Sequence, residues 1–176
     1  MKIILAGDSF TGLAQTSKGV PISAAMTKHT WHHKIKEKYI NVLNIGKGGI
    51  NNVEILNKLE PFWNKTDKAI FIINFSHLYR PKSSMRIMKI KELKISKEIT
   101  DFLIYKNNLN ACKKIIKNFE NGFFWTPFSG YEKIKNINSY KFNKGQAIFP
   151  NHLSMEEHNF MFLTIDNYIR INNGIN

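Results

Sequence analysis

Four continuous apolar runs punctuate the chain, each closed by glycine, proline or a polar cluster. They are "KIILAG" (2–7), "INVLNIG" (40–46), "KAIFIINF" (68–75) and "GFFWTPF" (122–128). The first reads as a buried strand, the second and fourth as further strands, and the third, 68–75, is short enough to be a strand buried on both faces. The segments between them follow a different period. Residues 23–39 place Met26, Trp31, Ile35 and Tyr39 at broadly helical spacing, and 51–62 set Val53, Leu56 and Leu59 on one face before Pro61. From Ile99 to Phe119, the series Ile99, Phe102, Leu103, Leu109, Cys112, Ile115, Ile116 and Phe119 predicts one long amphipathic helix. A terminal helix is predicted over 153–170, with Ser154 and Glu157 spaced as a capping box. Residues 129–147 read as a polar loop.

Strands alternating with helices predict an α/β fold, a sheet of mostly parallel strands covered on both faces. With 176 residues and no repeat or low-complexity linker, the expectation is a single domain over 1–176. Ligands of such sheets sit at the carboxyl ends of the strands. The polar clusters of this chain fall at those ends, so that is where chemistry is sought.

Composition changes the picture little. Hydrophobic residues make up 43% and aromatic residues 12%, as a globular core requires. The lone cysteine, Cys112, can form no internal disulfide and reads as a reduced core thiol. No apolar run approaches the ~20 residues of a spanning helix, and "MKIILAGDS" is too short for a secretory core, so a cytoplasmic protein is expected. The formal charge of +13 invites an anionic partner. Arginine is scarce, however (Arg80, Arg86 and Arg170), and the many lysines accompany Asn and Ile in a composition that AT-rich codons favour. Nucleic acid therefore ranks below a small-molecule or saccharide ester as partner. Residues 80–98 hold seven Lys or Arg against two Glu, a basic lid or insertion or an ordinary solvated helix.

Four clusters carry the candidate chemistry. "GDS" (7–9) follows the first strand, where the Ser9 hydroxyl can stand above the sheet and its own N–H can face developing negative charge. "NIGKGG" (44–49) is a glycine-rich turn with the spacing of neither a Walker loop nor a dinucleotide fingerprint. "PNHLSMEEH" (150–158) sets His152 ahead of the terminal helix, where it can serve as general base. A polar group, Asn74, Ser76 and His77, also follows the third strand. The "HTWHH" cluster (29–33) and one cysteine lack zinc-ligand spacing, so no metal is expected, although His29 and His33 are four apart.

In order and spacing these blocks resemble the SGNH hydrolases, also called GDSL esterases and lipases. The resemblance covers residue 3 to about 163. It implies a three-layer, flavodoxin-like α/β/α fold, hydrolysis of an ester (an O-acetyl group on a carbohydrate among the candidates) and no cofactor. It implies Ser9 as nucleophile, His152 as base, and an oxyanion hole from the N–H groups of Ser9 and Gly49 with the Asn74 side chain. Two departures stand out. The family's third block, G-x-N-D, is replaced by "IINFSH", so Asn74 takes the oxyanion role if the asparagine is kept, or Ser76 if the block is shifted. The acid expected two or three residues before the histidine is also missing, since Pro150 and Phe149 stand there. Asn151 is then the orienter of His152, with Asp8 or Glu156 as distant substitutes. These departures suit a slow or specialised enzyme, or a retired one that binds a saccharide or anionic ligand without turnover.

Overall fold

The computed structural model describes residues 1–8, 10–11, 28–63, 69–82, 96–142 and 153–174. Within them run β1 (Lys2–Ala6), α1 (Trp31–Lys38), β2 (Val42–Asn44), α2 (Asn52–Leu59), β3 (Ala69–Asn74), α3 (Lys97–Asn118), β4 (Phe123–Thr126), β5 (Ile137–Ser139) and α4 (Met155–Asn173). A 3₁₀ turn at Glu60–Phe62 continues α2, with Pro61 inside it.

The five strands form one parallel sheet in the order β2-β1-β3-β4-β5. Its central strands are apolar throughout because helices cover both faces. Along β1, Ile3 and Leu5 face Trp31 and Ile35 of α1 and Met161, Ile165 and Ile169 of α4. Ala6, together with Ile73 of β3 and Phe124 of β4, faces Ile55 and Leu59 of α2 and Ala111, Cys112 and Ile115 of α3. The two-residue period of the strands thus sorts their side chains between two helix layers, giving the three-layer arrangement expected. Because β2 and β3 flank β1 on opposite sides, the order reverses direction at β1, and the crevice beyond the carboxyl ends of β1 and β3 is a topological switch point.

Three expectations need correction. The stretch 129–147 contains a strand as well as loop: β5 pairs with β4 with Phe124 opposite Ile137. It escaped notice because it is an edge strand with Asn138 and Ser139 exposed, so it has no apolar run. Its pairing is reinforced by the Asn138 side-chain amide donating to the Phe124 carbonyl at 3.0 Å. Second, the long helix exists, but Ile99, Phe102 and Leu103 are 54%, 60% and 45% exposed. At about 100° per residue they point away from Asn108, Ala111, Cys112 and Ile115, the residues α3 buries. Third, residues 28–30 form a turn before α1, so His29 is not on the helix that carries His33, and His33 Nε2 instead contacts Glu37 at 3.2 Å. Met26 and residues 83–95 of the basic segment lie outside the described residues.

The Ser154–Glu157 capping box is present: the Glu157 N–H donates to Ser154 Oγ at 3.2 Å, and the Ser154 N–H donates to Glu157 Oε2 at 2.7 Å. A second box, unremarked in the sequence, caps α2 through Asn51 and Glu54, both bonds being 3.0 Å. Cys112 is buried, and burial pushes its thiol up to about 12, so it is protonated at neutral pH.

Buried histidine joins α1 to α4. His158 Nδ1 accepts from the Trp31 N–H at 3.4 Å, and His32 is buried beside it. Burial first, then the charges of His158, His33 and Lys36, lowers His32 from 6.5 to about 3. The unfolded chain therefore binds a proton that the folded chain refuses between those values. The stability contributed by neutral His32 is fully present above pH 6.5 and is lost as pH falls toward 3, by about 1.4 kcal/mol per unit. Urea unfolding at pH 5 is expected to give a stability about 2 kcal/mol below that at pH 7, with the difference largely removed in His32→Phe.

Candidate functional site

The carboxyl end of β1 is built by close approach. Gly7 has a φ of 153°, and a side-chain carbon there would lie 2.7 Å from Thr11 Oγ1 and 2.8 Å from both Cβ and O of Asn74. Only glycine lets the two strand ends meet so closely. The chain then turns: the Thr11 N–H donates to the Asp8 carbonyl at 3.0 Å, and the Phe10 N–H donates to Asp8 Oδ1 at 3.1 Å. Trp31 Nε1 fixes the next residue by donating to the Phe10 carbonyl at 2.8 Å. Position 9 thus falls between two residues held on either side. Ser9 itself, with Asn151 and His152, lies outside the described residues.

The second cluster is stitched to that turn. Beyond β2, the Ile45 N–H donates to Leu5 O at 2.8 Å and the Lys47 N–H to Gly7 O at 3.0 Å. Asn44 Nδ2 donates to Thr11 O at 2.8 Å, while its Oδ1 accepts from the Gly46 N–H at 2.9 Å. The glycine-rich loop therefore lies against the Gly7–Thr11 turn through backbone and amide bonds. Gly49 turns the chain into α2 with a φ of 81°, a left-handed conformation that glycine adopts without strain.

The third cluster combines rigid backbone with uncommitted side chains. Asn74 ends β3 opposite Trp125 and is fully buried. Among the described residues its Nδ2 reaches only the Phe75 carbonyl, at 3.4 Å, and its Oδ1 has no hydrogen-bond partner. Ser76 is equally buried, and its Oγ likewise has no hydrogen-bond partner among the described residues. Its peptide is clamped instead: the N–H donates to Asn52 Oδ1 at 2.7 Å, while the carbonyl accepts from Asn52 Nδ2 at 3.1 Å and from the Tyr131 hydroxyl. His77 follows, half-buried, with Nδ1 accepting from the Tyr79 N–H at 3.2 Å, which leaves the proton of the neutral ring on Nε2. Burial, then Arg80, lowers its pKa. Arg80 approaches Asp8 Oδ2 at 3.8 Å across the strand ends. Asp8 is thus engaged with Arg80 and Phe10, while Glu156 is exposed on α4.

Sequence reasoning missed the side chains that hold this loop in place. Asn108 Nδ2 donates to the carbonyls of Leu78 and Arg80 at 2.8 and 2.9 Å, and its Oδ1 accepts from the Asn52 N–H at 3.0 Å. Asn51 Nδ2 adds a bond to the Arg80 carbonyl at 3.3 Å. The available signal was slight: Asn108 stands four residues before Cys112 and seven before Ile115, on the face that α3 buries. Asn108→Leu would leave two carbonyls and a helix-terminal N–H without that partner. It is expected to lower stability by about 2–4 kcal/mol in chemical denaturation.

Apolar packing supports the turn from behind. Phe10 meets Trp125 and Phe128 edge-on at 6.4 and 5.6 Å, and Trp125 meets Trp31 at 5.9 Å. On the His152 side, its neighbour Leu153 is buried in the α1/α4 core. A hollow of about 370 Å³ lies between α2 and α3, lined in part by Leu56, Lys82 and Lys114. Among the described residues no group of three His, Cys, Asp or Glu side chains is placed to hold a metal ion, and no helix is long and apolar enough to cross a membrane.

No family model matches the chain, and no curated protein matches it. Solved structures do. A candidate lipolytic protein of the G-D-S-L family from Desulfitobacterium hafniense DCB-2 superposes with a TM-score of 0.50 at 14% identity, covering 95% of this chain and 98% of that one. The psychrotrophic esterase EstA from Pseudoalteromonas sp. gives a TM-score of 0.47 at 12% identity, covering 96% of each chain. A candidate GDSL-like lipase from Parabacteroides merdae ATCC 43184 gives 0.37 at 14%, covering 97% of this chain and 73% of that one. The chain shares its α/β fold with the first of these structures. The likeness to the first of these proteins spans nearly the full length of both.

Proposed function

We propose that this protein is a serine hydrolase of carboxylic esters and a divergent SGNH hydrolase. One observation carries the reading. Among the described residues two buried polar side-chain atoms lack hydrogen-bond partners at the carboxyl end of β3, Asn74 Oδ1 and Ser76 Oγ, and Asn74 meets the Gly7 turn at the switch point of the sheet. Buried polar groups are normally satisfied, so uncommitted ones at the end of β3 suit a site completed by a substrate: Ser76 Oγ can donate, and the Asn74 amide, held by one 3.4 Å bond, can turn its N–H toward an oxyanion.

In this mechanism Ser9 Oγ attacks the ester carbonyl while His152 takes the hydroxyl proton. The oxyanion is held by the N–H groups of Ser9 and Gly49 and by the Asn74 amide. Collapse breaks the acyl–oxygen bond, and the alcohol leaves with the proton from His152. Water, deprotonated by His152, then attacks the acyl enzyme and releases the acid and Ser9. Asn151 supplies an oxygen to the imidazole in place of an acid, so the imidazolium lacks a neighbouring negative charge. The test is hydrolysis of p-nitrophenyl acetate by the purified chain. Turnover that rises through the titration of a single group near neutral pH and disappears in His152→Ala supports the reading, and turnover unaffected by that substitution contradicts it.

A second reading follows from the missing acid: the same fold retained as a binding protein for a saccharide or anionic ligand. It predicts ligand binding with no hydrolysis.

A further inference from the structure

The hollow of about 370 Å³ between α2 and α3 is lined by residues distinct from those of the candidate catalytic site. From α3 come Asn107, Asn110, Ala111 and Lys114, the i, i+3, i+4 and i+7 positions that share one helix face. From α2 come Val53 and Leu56, three apart, and Lys82 arrives from the loop that follows β3. The lining sorts by chemistry. Val53, Leu56 and Ala111 give an apolar wall, while the two lysines and two asparagines give ammonium and amide donors. The Lys114 ammonium is already placed, 4.5 Å from the centroid of the Trp63 ring, whose face attracts a cation. Among the described residues neither lysine pairs with a carboxylate.

The charged groups of the surrounding described elements leave this hollow positive. Residues 107–118 of α3 carry Lys113, Lys114 and Lys117 and no carboxylate. Glu98 and Asp101 stand in the first turns of that helix, where Lys97 and Lys106 offset them. On α2, Glu54 accepts from the Asn51 N–H in the helix cap, and Lys58 in the last turn offsets Glu60 beyond it. Arg80, two residues before Lys82, faces Asp8 at 3.8 Å. Lys82 and Lys114 therefore stand uncompensated at the hollow. Two ammonium groups and two amides suit a dianionic head with several acceptor oxygens, and the apolar wall suits a compact hydrocarbon body. The volume limits the ligand to about ten non-hydrogen atoms, near the lower end for small-molecule sites.

We propose that this hollow is a second ligand site, which takes a phosphate monoester with a compact apolar body. Lys82, Lys114 and the amides of Asn107 and Asn110 hold the phosphate, and the body lies on Val53, Leu56 and Ala111. A monocarboxylate would leave one ammonium unmatched, whereas a phosphate monoester brings a charge of about −1.5 to −2 at neutral pH. Inorganic phosphate would leave the apolar wall bare. The site binds without making or breaking a bond, and it is independent of the ester-hydrolase reading.

Isothermal titration of the full chain with phenyl phosphate at low ionic strength tests the assignment. Saturable binding is expected, with a dissociation constant at or below about 1 mM. Inorganic phosphate lacks the ring and benzoate lacks the second charge, so each is expected to bind at least about tenfold more weakly. Lys82→Gln and Lys114→Gln each remove one ammonium and are expected to weaken phenyl phosphate binding by at least about tenfold. Lys117→Gln removes the same charge from α3 outside the lining and is expected to bind as the parent does. That control separates a site from general attraction to a chain of formal charge +13. All three lysines are exposed, so thermal unfolding is expected to be unchanged in every variant. No saturable binding, an equal loss in Lys117→Gln, or benzoate or inorganic phosphate bound as tightly as phenyl phosphate would each overturn the assignment. Binding indifferent to Lys82 and Lys114 but lost in Ser9→Ala would overturn it too, by placing the ligand at the strand ends.

Discussion

Replacing Ser9 with alanine is expected to lower kcat on a short-chain ester by only about 10²-fold. In a complete triad, loss of the serine costs about 10⁶ in kcat and loss of the acid alone about 10⁴. This chain has Phe149 and Pro150 where the acid would stand, and Asp8 is engaged by Arg80 and the Phe10 N–H. If the acid's contribution is already absent, the serine has about 10² left to lose before only binding and the oxyanion hole remain. Steady-state kinetics of Ser9→Ala therefore measure more than the nucleophile. A fall of about 10⁶-fold would mean that some carboxylate does serve His152, and it would contradict the dyad.

Asn74→Ala is expected to lower kcat by about 10² to 10³-fold with little change in KM, the usual cost of one oxyanion donor. Its structural cost is small. Among the described residues the amide makes one long bond, at 3.4 Å, and its oxygen has no hydrogen-bond partner, so truncation removes little that supports the fold. Ser76→Ala is the matched control, because its hydroxyl also lacks a partner while Asn52 holds its backbone. Thermal unfolding should shift little in either variant. A large fall in kcat confined to Asn74→Ala assigns the donor to Asn74; the opposite pattern assigns it to Ser76.

The fold was legible wherever strands are buried on both faces. β1, β3 and β4 appear in the sequence as apolar runs because two helix layers leave no polar side. β5 was not legible, since an edge strand is held mainly by its backbone and its side chains carry little hydrophobic signal. The long helix was legible in extent but not in orientation. Ile99, Phe102 and Leu103 looked like core and proved to be surface, while Asn108, outside the apolar series, proved to be buried.

The same asymmetry governs the site. Gly7 and the 44–49 loop announce themselves because tight approach demands glycine. The amide clamp does not, because Asn52, Ser76, Asn108 and Tyr131 meet only in three dimensions, and polar residues far apart in the chain leave no periodic trace. Asn74 was recognisable as a candidate from its place after an apolar run. Its lack of committed hydrogen bonds was visible only in the packed structure.

The most direct test of the proposed site is reaction of the folded protein with a fluorophosphonate probe, followed by peptide mapping of the adduct. An activated serine attacks the phosphorus and expels fluoride, leaving a stable phosphonyl ester. The account predicts one adduct on Ser9, abolished in Ser9→Ala and in His152→Ala. Protein that is folded by circular dichroism and yields no adduct, or yields one on another residue, would contradict it and bring the binding-protein reading to the front.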